Sequence, residues 1–199
     1  MAHSVTNSSG GATATLQANE ATLREGENGA LNYHSPVVGG FQFGVGTSHL
    51  QSSDSDTSMS YGLKYAGAAG DVSYSVGYGS YDGSDSNSEG THVGFQASWD
   101  GITIGAGSAE NTGSTGAEEE SVSYAVTYAM SDALTVGVGM TDSENGDESL
   151  KNTQIGVVYT IAPGLTASLA SSSFEYDDGA SASLDNEGTV TQAELKMSF

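Results

Sequence analysis

The chain of 199 residues has no cysteine and only four basic residues, against 25 Asp and Glu. Without cysteine it has no disulfide, no thiolate nucleophile and no cysteine-based metal site. A formal net charge of −21 argues against nucleic-acid binding, which requires a basic surface, and against docking on an anionic membrane surface. No apolar run approaches the roughly 18–20 residues of a spanning helix, although spanning strands give a much weaker hydropathy signal.

Alternation of apolar and small polar residues is abundant instead, from about residue 29 to the C-terminus. Val72, Tyr74, Val76 and Tyr78, for example, alternate with serine and glycine. The same period of two recurs in about eleven segments, and no segment of useful length has the helical period. The pattern therefore predicts an all-β fold of about eleven strands.

The connections between these segments alternate in length. The short ones are SPVVGG, GAAGD, WDG, MSDA and IAPG. The long ones are polar, hold most of the acidic residues, and read QSSDSDT, YDGSDSNSEG, AENTGSTGAEEE, TDSENGDES and EYDDGASASLDNEG. This alternation predicts that every strand runs antiparallel to its neighbour, with tight turns at one end of the sheet and acidic loops at the other.

The two faces of the predicted strands differ in an unusual way. One carries Val, Leu, Ile, Tyr, Phe and Met, whereas the other carries mainly Gly, Ser, Thr and Ala rather than the many charged residues of a solvent-facing strand. Small polar residues suit a curved, water-lined interior, and bulky apolar ones suit lipid. Because backbone groups in lipid must be paired, we predict a transmembrane, antiparallel up-and-down β-barrel. A soluble or surface-exposed secreted β domain acting in adhesion is the main alternative.

Signals of enzyme chemistry are weak. The four His residues are not at metal-ligating spacing, and there is no P-loop or G-x-S-x-G motif. Ser48 and His49 are neighbours on a predicted strand, so their side chains point to opposite faces. We expect no enzymatic activity and no cofactor; an outer-membrane barrel enzyme is the less favoured alternative.

Acidic loops invite a weak hypothesis of loosely bound Ca²⁺, since this ion prefers several carboxylate oxygens. The candidate ligands are Asp54, Asp56, Glu144, Asp147 and Glu148. They do not fit the twelve-residue loop of an EF-hand.

If the small-residue face lines a channel, its charged and amide side chains set the ion preference. The alternation directs Lys64, Gln96, Gln154, Gln192, Glu194 and Lys196 into the lumen, and Lys151 is expected to join them at a strand start. Carboxylates around one mouth should concentrate cations, so we expect mild cation selectivity.

Three features resemble bacterial outer-membrane general porins, particularly those of Gram-negative and alphaproteobacterial lineages. Residues 28–46, NGALNYHSPVVGGFQFGVG, resemble a porin strand–turn–strand, and hairpins rich in glycine and aromatic residues recur through the body. The final AELKMSF resembles the last porin strand. That resemblance implies that Leu195, Met197 and Phe199 form an assembly signal for the outer-membrane insertion machinery.

The resemblance covers about residues 20–199 and implies a bacterial outer-membrane protein, assembled as a homotrimer, that lets ions and small hydrophilic solutes diffuse passively. The full family barrel has about sixteen strands, so the chain resembles its C-terminal two-thirds. Residues 28–199 are then barrel strands, and residues 1–27 are a remnant of the constriction loop or one extra strand, the twelfth. Arg24 matches in position a pore-lining basic residue that often follows the constriction loop.

Overall fold

A computed structural model describes residues 30–48, 58–83, 88–112, 118–179 and 184–198. They form one sheet whose eleven strands follow the order of the chain, each antiparallel to the next, as predicted. The strands are β1 (Ala30–His34), β2 (Phe41–Ser48), β3 (Ser58–Ala69), β4 (Val72–Gly83), β5 (Ser88–Trp99), β6 (Ile102–Thr112), β7 (Glu118–Ala129), β8 (Leu134–Asn145), β9 (Glu148–Ala162), β10 (Leu165–Asp177) and β11 (Asn186–Met197). No described segment forms a helix long and apolar enough to cross a membrane.

The connections at one end of the sheet are as short as the sequence predicts. Gly70, Gly101 and Gly164 each lie in one of these turns with φ of 61°, 78° and 79°. Such left-handed backbone is readily adopted by glycine and costly for other residues, which explains why these turns can be so tight.

At the other end, the strands extend further than predicted. The segment TDSENGDES is not a long loop, because β8 continues to Asn145 and β9 starts at Glu148, leaving only Gly146 and Asp147 between them. Backbone pairing does not depend on apolar side chains, so the ladder continues past the last apolar residue.

Many acidic residues therefore lie on strands, and the prediction that most belong to loops is wrong for them. They are Asp82, Glu89, Glu110, Glu118, Glu119, Glu120, Asp142, Glu144, Glu148, Glu175, Asp177 and Glu187.

The sheet is curved, and burial identifies its concave face. Eleven described residues are buried, and nine of them are small residues on the face opposite the bulky side chains. These nine are Gly44, Gly46, Ser60, Gly62, Gly79, Gly90, Gly94, Ser143 and Ser172. Since no second layer of described residues covers that face, we infer that they are buried because side chains converge on the concave side of a curved sheet. The bulky face is the convex one.

The bulky face is not the inside of a soluble sandwich. Val126 and Val138 are 44% and 43% exposed, and Tyr74 is only half-buried. Within the described part of the chain, the only buried hydrophobic residue is Ala97. A soluble domain with so little apolar burial has no core to stabilise it, so the adhesion-domain alternative does not match this fold.

The apolar residues of the convex face indicate how far the strands are tilted. Tyr78, the last apolar residue of β4 toward the long connections, shares a register row with Val93, Ser108, Val122, Asp142, Lys151 and Glu175. On the convex face of β10, however, the last apolar residue is Leu169, six residues nearer the short turns than Glu175.

The apolar boundary thus shifts by six residues across the six steps from β4 to β10. With a rise of about 3.4 Å per residue and a strand spacing of about 4.8 Å, a boundary that is level in the membrane requires a tilt of about 35°. This agrees with the tilt of roughly 35–45° in transmembrane barrels.

Among the described residues, β1 pairs only with β2 and β11 only with β10. Consecutive antiparallel strands in an odd number leave the first and last strands pointing the same way. The prediction of a further strand within residues 1–27 falls outside the described residues and stays a prediction.

Candidate functional site

The concave face is the candidate site, because it is the wall of small polar residues that a curved sheet presents to its interior. Hydroxyl groups bridge neighbouring strands along it. Ser98 and Thr103 are 2.8 Å apart between their hydroxyl oxygens, Ser172 donates to Asn152 Oδ1 at 2.6 Å, and Ser123 and Thr141 are 3.3 Å apart. Such a wall is wettable, and its own hydroxyl groups are partly satisfied within it.

Register places most of the predicted lumen residues on this face. Lys64, Gln96 and Gln154 are half-buried there, and Lys64 lies between Gln42 and Gly77. The other three are exposed along β11, and they are Gln192, Glu194 and Lys196.

Lys151 is on the opposite, convex face, contrary to prediction. It has the same parity on β9 as Ile155 and Val157, and it lies between Asp142 and Glu175 in register. The error arose because Lys151 was expected in a strand start next to a loop, whereas β9 begins three residues earlier and runs without a shift of register through it.

The remaining predicted residues fall partly outside the described part of the chain. Arg24, Phe199, Asp54 and Asp56 lie outside the described residues. Leu195 and Met197 are exposed on the convex face of β11, 65% and 58% respectively.

Glu144 and Glu148 point to opposite faces, because Glu144 pairs with Ser149 whereas Glu148 pairs with Asn145, in the next register row. In the part of the chain that the structure describes, no three His, Asp or Glu side chains are grouped so as to hold a metal ion.

Glu119 was missed by the sequence reasoning as a charge on the concave face, and Glu148 had been considered only for Ca²⁺. Both belong to one register row, in which Asn145 separates them. The strand carboxylates on this face are Glu119, Glu148 and Glu194, and the lysines are Lys64 and Lys196. The other acidic strand residues face outward, past the apolar boundary.

The ends of β8–β11 that continue beyond that boundary are called the collar here: residues 142–152, 171–177 and 186–191. Leu150, Phe174 and Tyr176 point to the concave face of the collar. Extending the sequence alternation from Leu169 would have found two of them, since Phe174 and Tyr176 have the opposite parity to Leu169.

Tyr176 lies in an acidic environment at this end of the sheet. Desolvation, and next the negative charge and hydrogen bonding of Glu148, raise the pKa of the Tyr176 hydroxyl; Asp178 and Asp185 add to the effect. The Phe174 ring lies over Gly188, where an added Cβ would come within 2.9 Å of the ring. Glycine at this position leaves room for the ring beside β11.

The chain is similar to known proteins of the bacterial outer membrane. A family model described as Gram-negative porin matches residues 2–179. None of the curated proteins matches the sequence significantly.

Solved structures share the fold. They include the outer membrane channel DcaP of Acinetobacter baumannii (TM-score 0.66, 14% identity, 85% of this chain and 62% of that one) and the anion-selective porin of Comamonas acidovorans (0.64, 14%, 85% and 59%). OccAB2 of A. baumannii gives 0.67 at 11% identity, over 84% and 53%.

The chain thus spans less than two thirds of the length of these structures. At such identities the likeness concerns the fold alone. With the family model matching most of the sequence, the chain belongs to the Gram-negative porin family of the bacterial outer membrane.

Proposed function

We propose that the protein forms a channel through which ions and small hydrophilic solutes diffuse passively across the outer membrane. The observation that carries this proposal is the division of one curved sheet into a bulky apolar convex face and a small hydroxyl-and-glycine concave face. A wall of this kind holds water on one side and hydrocarbon on the other.

Closing the ring requires partners for both sheet edges, because unpaired backbone groups in lipid cost several kcal/mol each. β1 and β11 run in the same direction, so pairing them directly would create one parallel pair. We propose that an odd number of further antiparallel strands lies between them. The strand predicted within residues 1–27 would supply one.

We further propose a mild cation preference. Three strand carboxylates against two lysines on the concave face leave a small negative excess, and the outward carboxylates of the strand ends add to the field at the mouth. The Comamonas relative is described as anion-selective, but at 14% identity the lumen charges of the two proteins need not correspond.

Reversal potentials of the full chain in planar bilayers under a KCl gradient test this preference. We expect a reversal potential with the sign of a cation-selective channel. Glu119→Gln together with Glu148→Gln should reduce its magnitude. Asp82→Asn removes a single outward carboxylate further from the lumen, on the convex face, and should change the potential less. An anion-selective reversal potential in the unmodified protein contradicts the proposal.

A homotrimer and recognition by the insertion machinery are proposed from the family alone. The insertion machinery would recognise Leu195 and Met197, which are exposed on β11, together with Phe199. Deletion of Phe199 should lower the yield of folded protein in outer membranes, whereas Ser198→Ala should leave it unchanged. Cross-linking of the membrane-inserted protein tests the trimer, and a purely monomeric pattern would contradict it.

A further inference from the structure

A small apolar group stands on the concave face of the collar, where contact with lipid cannot account for it. Tyr176 pairs directly with Leu150, and Phe174 with Asn152 one step nearer the membrane. All three apolar side chains are half-buried, so each keeps surface that a ligand can cover. Leu150, Phe174 and Tyr176 are called the vestibule patch from here on.

Negative charge surrounds the vestibule patch. Glu148 lies next to Tyr176, and Asp178 and Asp185 are close enough to act on the same hydroxyl. Lys151, the lysine of β9, points to the other face of the sheet. The patch therefore combines aromatic and aliphatic surface with carboxylates.

The surroundings of the patch are held in place by two contacts. The Asp178 amide donates to Asp185 Oδ1 at 3.1 Å, across the connection between β10 and β11. Gly179 approaches the Asp147 carbonyl so closely that an added Cβ would overlap it, and its φ is 69°. The β8–β9 turn and the end of β10 therefore form one packed unit.

We propose that the vestibule patch binds small organic cations that carry an apolar body, before they pass along the concave wall. Aromatic rings attract cations over their faces, the carboxylates complement the charge, and the apolar body removes water from Leu150 and Phe174. The biological setting rests on the proposed channel, but the binding itself does not require conduction.

Benzyltrimethylammonium is the probe, added to the full chain in planar bilayers to measure the concentration that blocks half the KCl current. Tetramethylammonium keeps the charge and lacks the ring, and benzenesulfonate keeps the ring and reverses the charge. We expect benzyltrimethylammonium to block at the lowest concentration. Calorimetric titration of the detergent-solubilised protein measures the same three ligands without relying on conduction.

Two variants test the patch itself. Phe174→Ser with Tyr176→Ser should weaken binding by about threefold to thirtyfold, the range of a cation–π contact. Glu148→Gln should weaken it less, and only at low salt, because an exposed charge is screened. Circular dichroism shows whether the double serine variant folds. If it folds poorly, Tyr176→Leu is the second test, because it retains apolar surface and should lose less affinity for the probe.

Matched controls lie elsewhere on the concave face. Tyr81 is another aromatic residue there, hydrogen-bonded to Asn111 Oδ1 at 3.4 Å, and Tyr81→Ser should leave binding unchanged. Glu119→Gln removes a concave carboxylate two strands away from Glu148 and should weaken binding less than Glu148→Gln does.

Equal affinity in the unmodified protein and the double serine variant, or equal binding of benzenesulfonate, would overturn the proposed site while leaving a conducting channel intact. A protein that binds the probe in calorimetry but never conducts would retain the site and contradict the channel.

Discussion

Val126 on β7 and Ser171 on β10 lie in the same register row and on the same convex face, yet one is apolar and the other a hydroxyl. The whole row changes in this way: Ile104, Val126, Val138 and Ile155 give way to Ser171 and Thr191. Residues of one register row therefore do not all lie at the same depth in the membrane. In a tilted sheet, a row perpendicular to the strands leaves the apolar layer as it passes from β6 to β11, and β10–β11 stand above the layer at this row.

The concave face differs between the same two regions. Along β6–β8 it carries Gly105, Ala125 and Gly139, whereas in the collar it carries Asn152, Phe174 and Tyr176. Small residues are needed where side chains from all around a barrel converge. The collar is beyond the apolar layer, so its inner surface can carry larger side chains, and this is where we place binding of organic cations.

The sharpest way to break this comparison is to place the same charge at both ends of one row. Val126→Arg should destabilise the folded protein by about 2–4 kcal/mol, because Val126 lies in the middle of the apolar band of β7. Ser171→Arg should cost about 0–1 kcal/mol, as expected near or beyond the interface. Denaturant unfolding in lipid vesicles measures both, and equal costs would contradict the tilt derived from the apolar boundary.

The packing of the collar can be tested at two glycines that share a conformation. Gly179 and Gly146 have φ of 69° and 62°, but only at Gly179 would an added Cβ overlap a neighbour, the Asp147 carbonyl. Gly146→Ala should cost about 1 kcal/mol for its backbone alone, and Gly179→Ala should cost more. Hydrogen exchange of β8–β10 amides reports the difference. The same protection in both variants would mean that the β8–β9 turn does not pack against the end of β10.

The smallest expected effects come from substituting one lysine on each face of the sheet. Lys151→Glu, between Asp142 and Glu175, puts like charges opposite one another and should lower stability by about 0.2–1 kcal/mol without altering ion selectivity. Lys64→Gln removes a concave positive charge and should increase cation preference with little change in stability. Reversal potentials and unfolding curves of both variants check this, and a selectivity change in Lys151→Glu would return that lysine to the lumen.

Much of the fold could be predicted because period-two alternation is a local property. The eleven strands and the faces of Lys64, Gln96 and Gln154 follow from parity within single segments, and their antiparallel order follows from the alternating lengths of the connections. Strand ends were the weak point. Polar sequences such as TDSENGDES look like loops, but they remain strands when their backbone groups are paired, and pairing depends on neighbours far away in sequence.

Lys151, Phe174 and Tyr176 show the consequence of misplaced ends. Each is separated from the apolar stretch of its own strand by two or more polar residues, so its face becomes evident only once the strand is known to continue.

The amino-acid sequence by itself determined which side chains share a face and that one of the two faces is apolar, because alternation follows from the geometry of a single strand. Only the tertiary structure decided which face is concave, how far the apolar boundary shifts from strand to strand, and which acidic strand residues lie beyond the apolar layer. Those properties depend on curvature, register and tilt, which arise when eleven strands hydrogen-bond to one another.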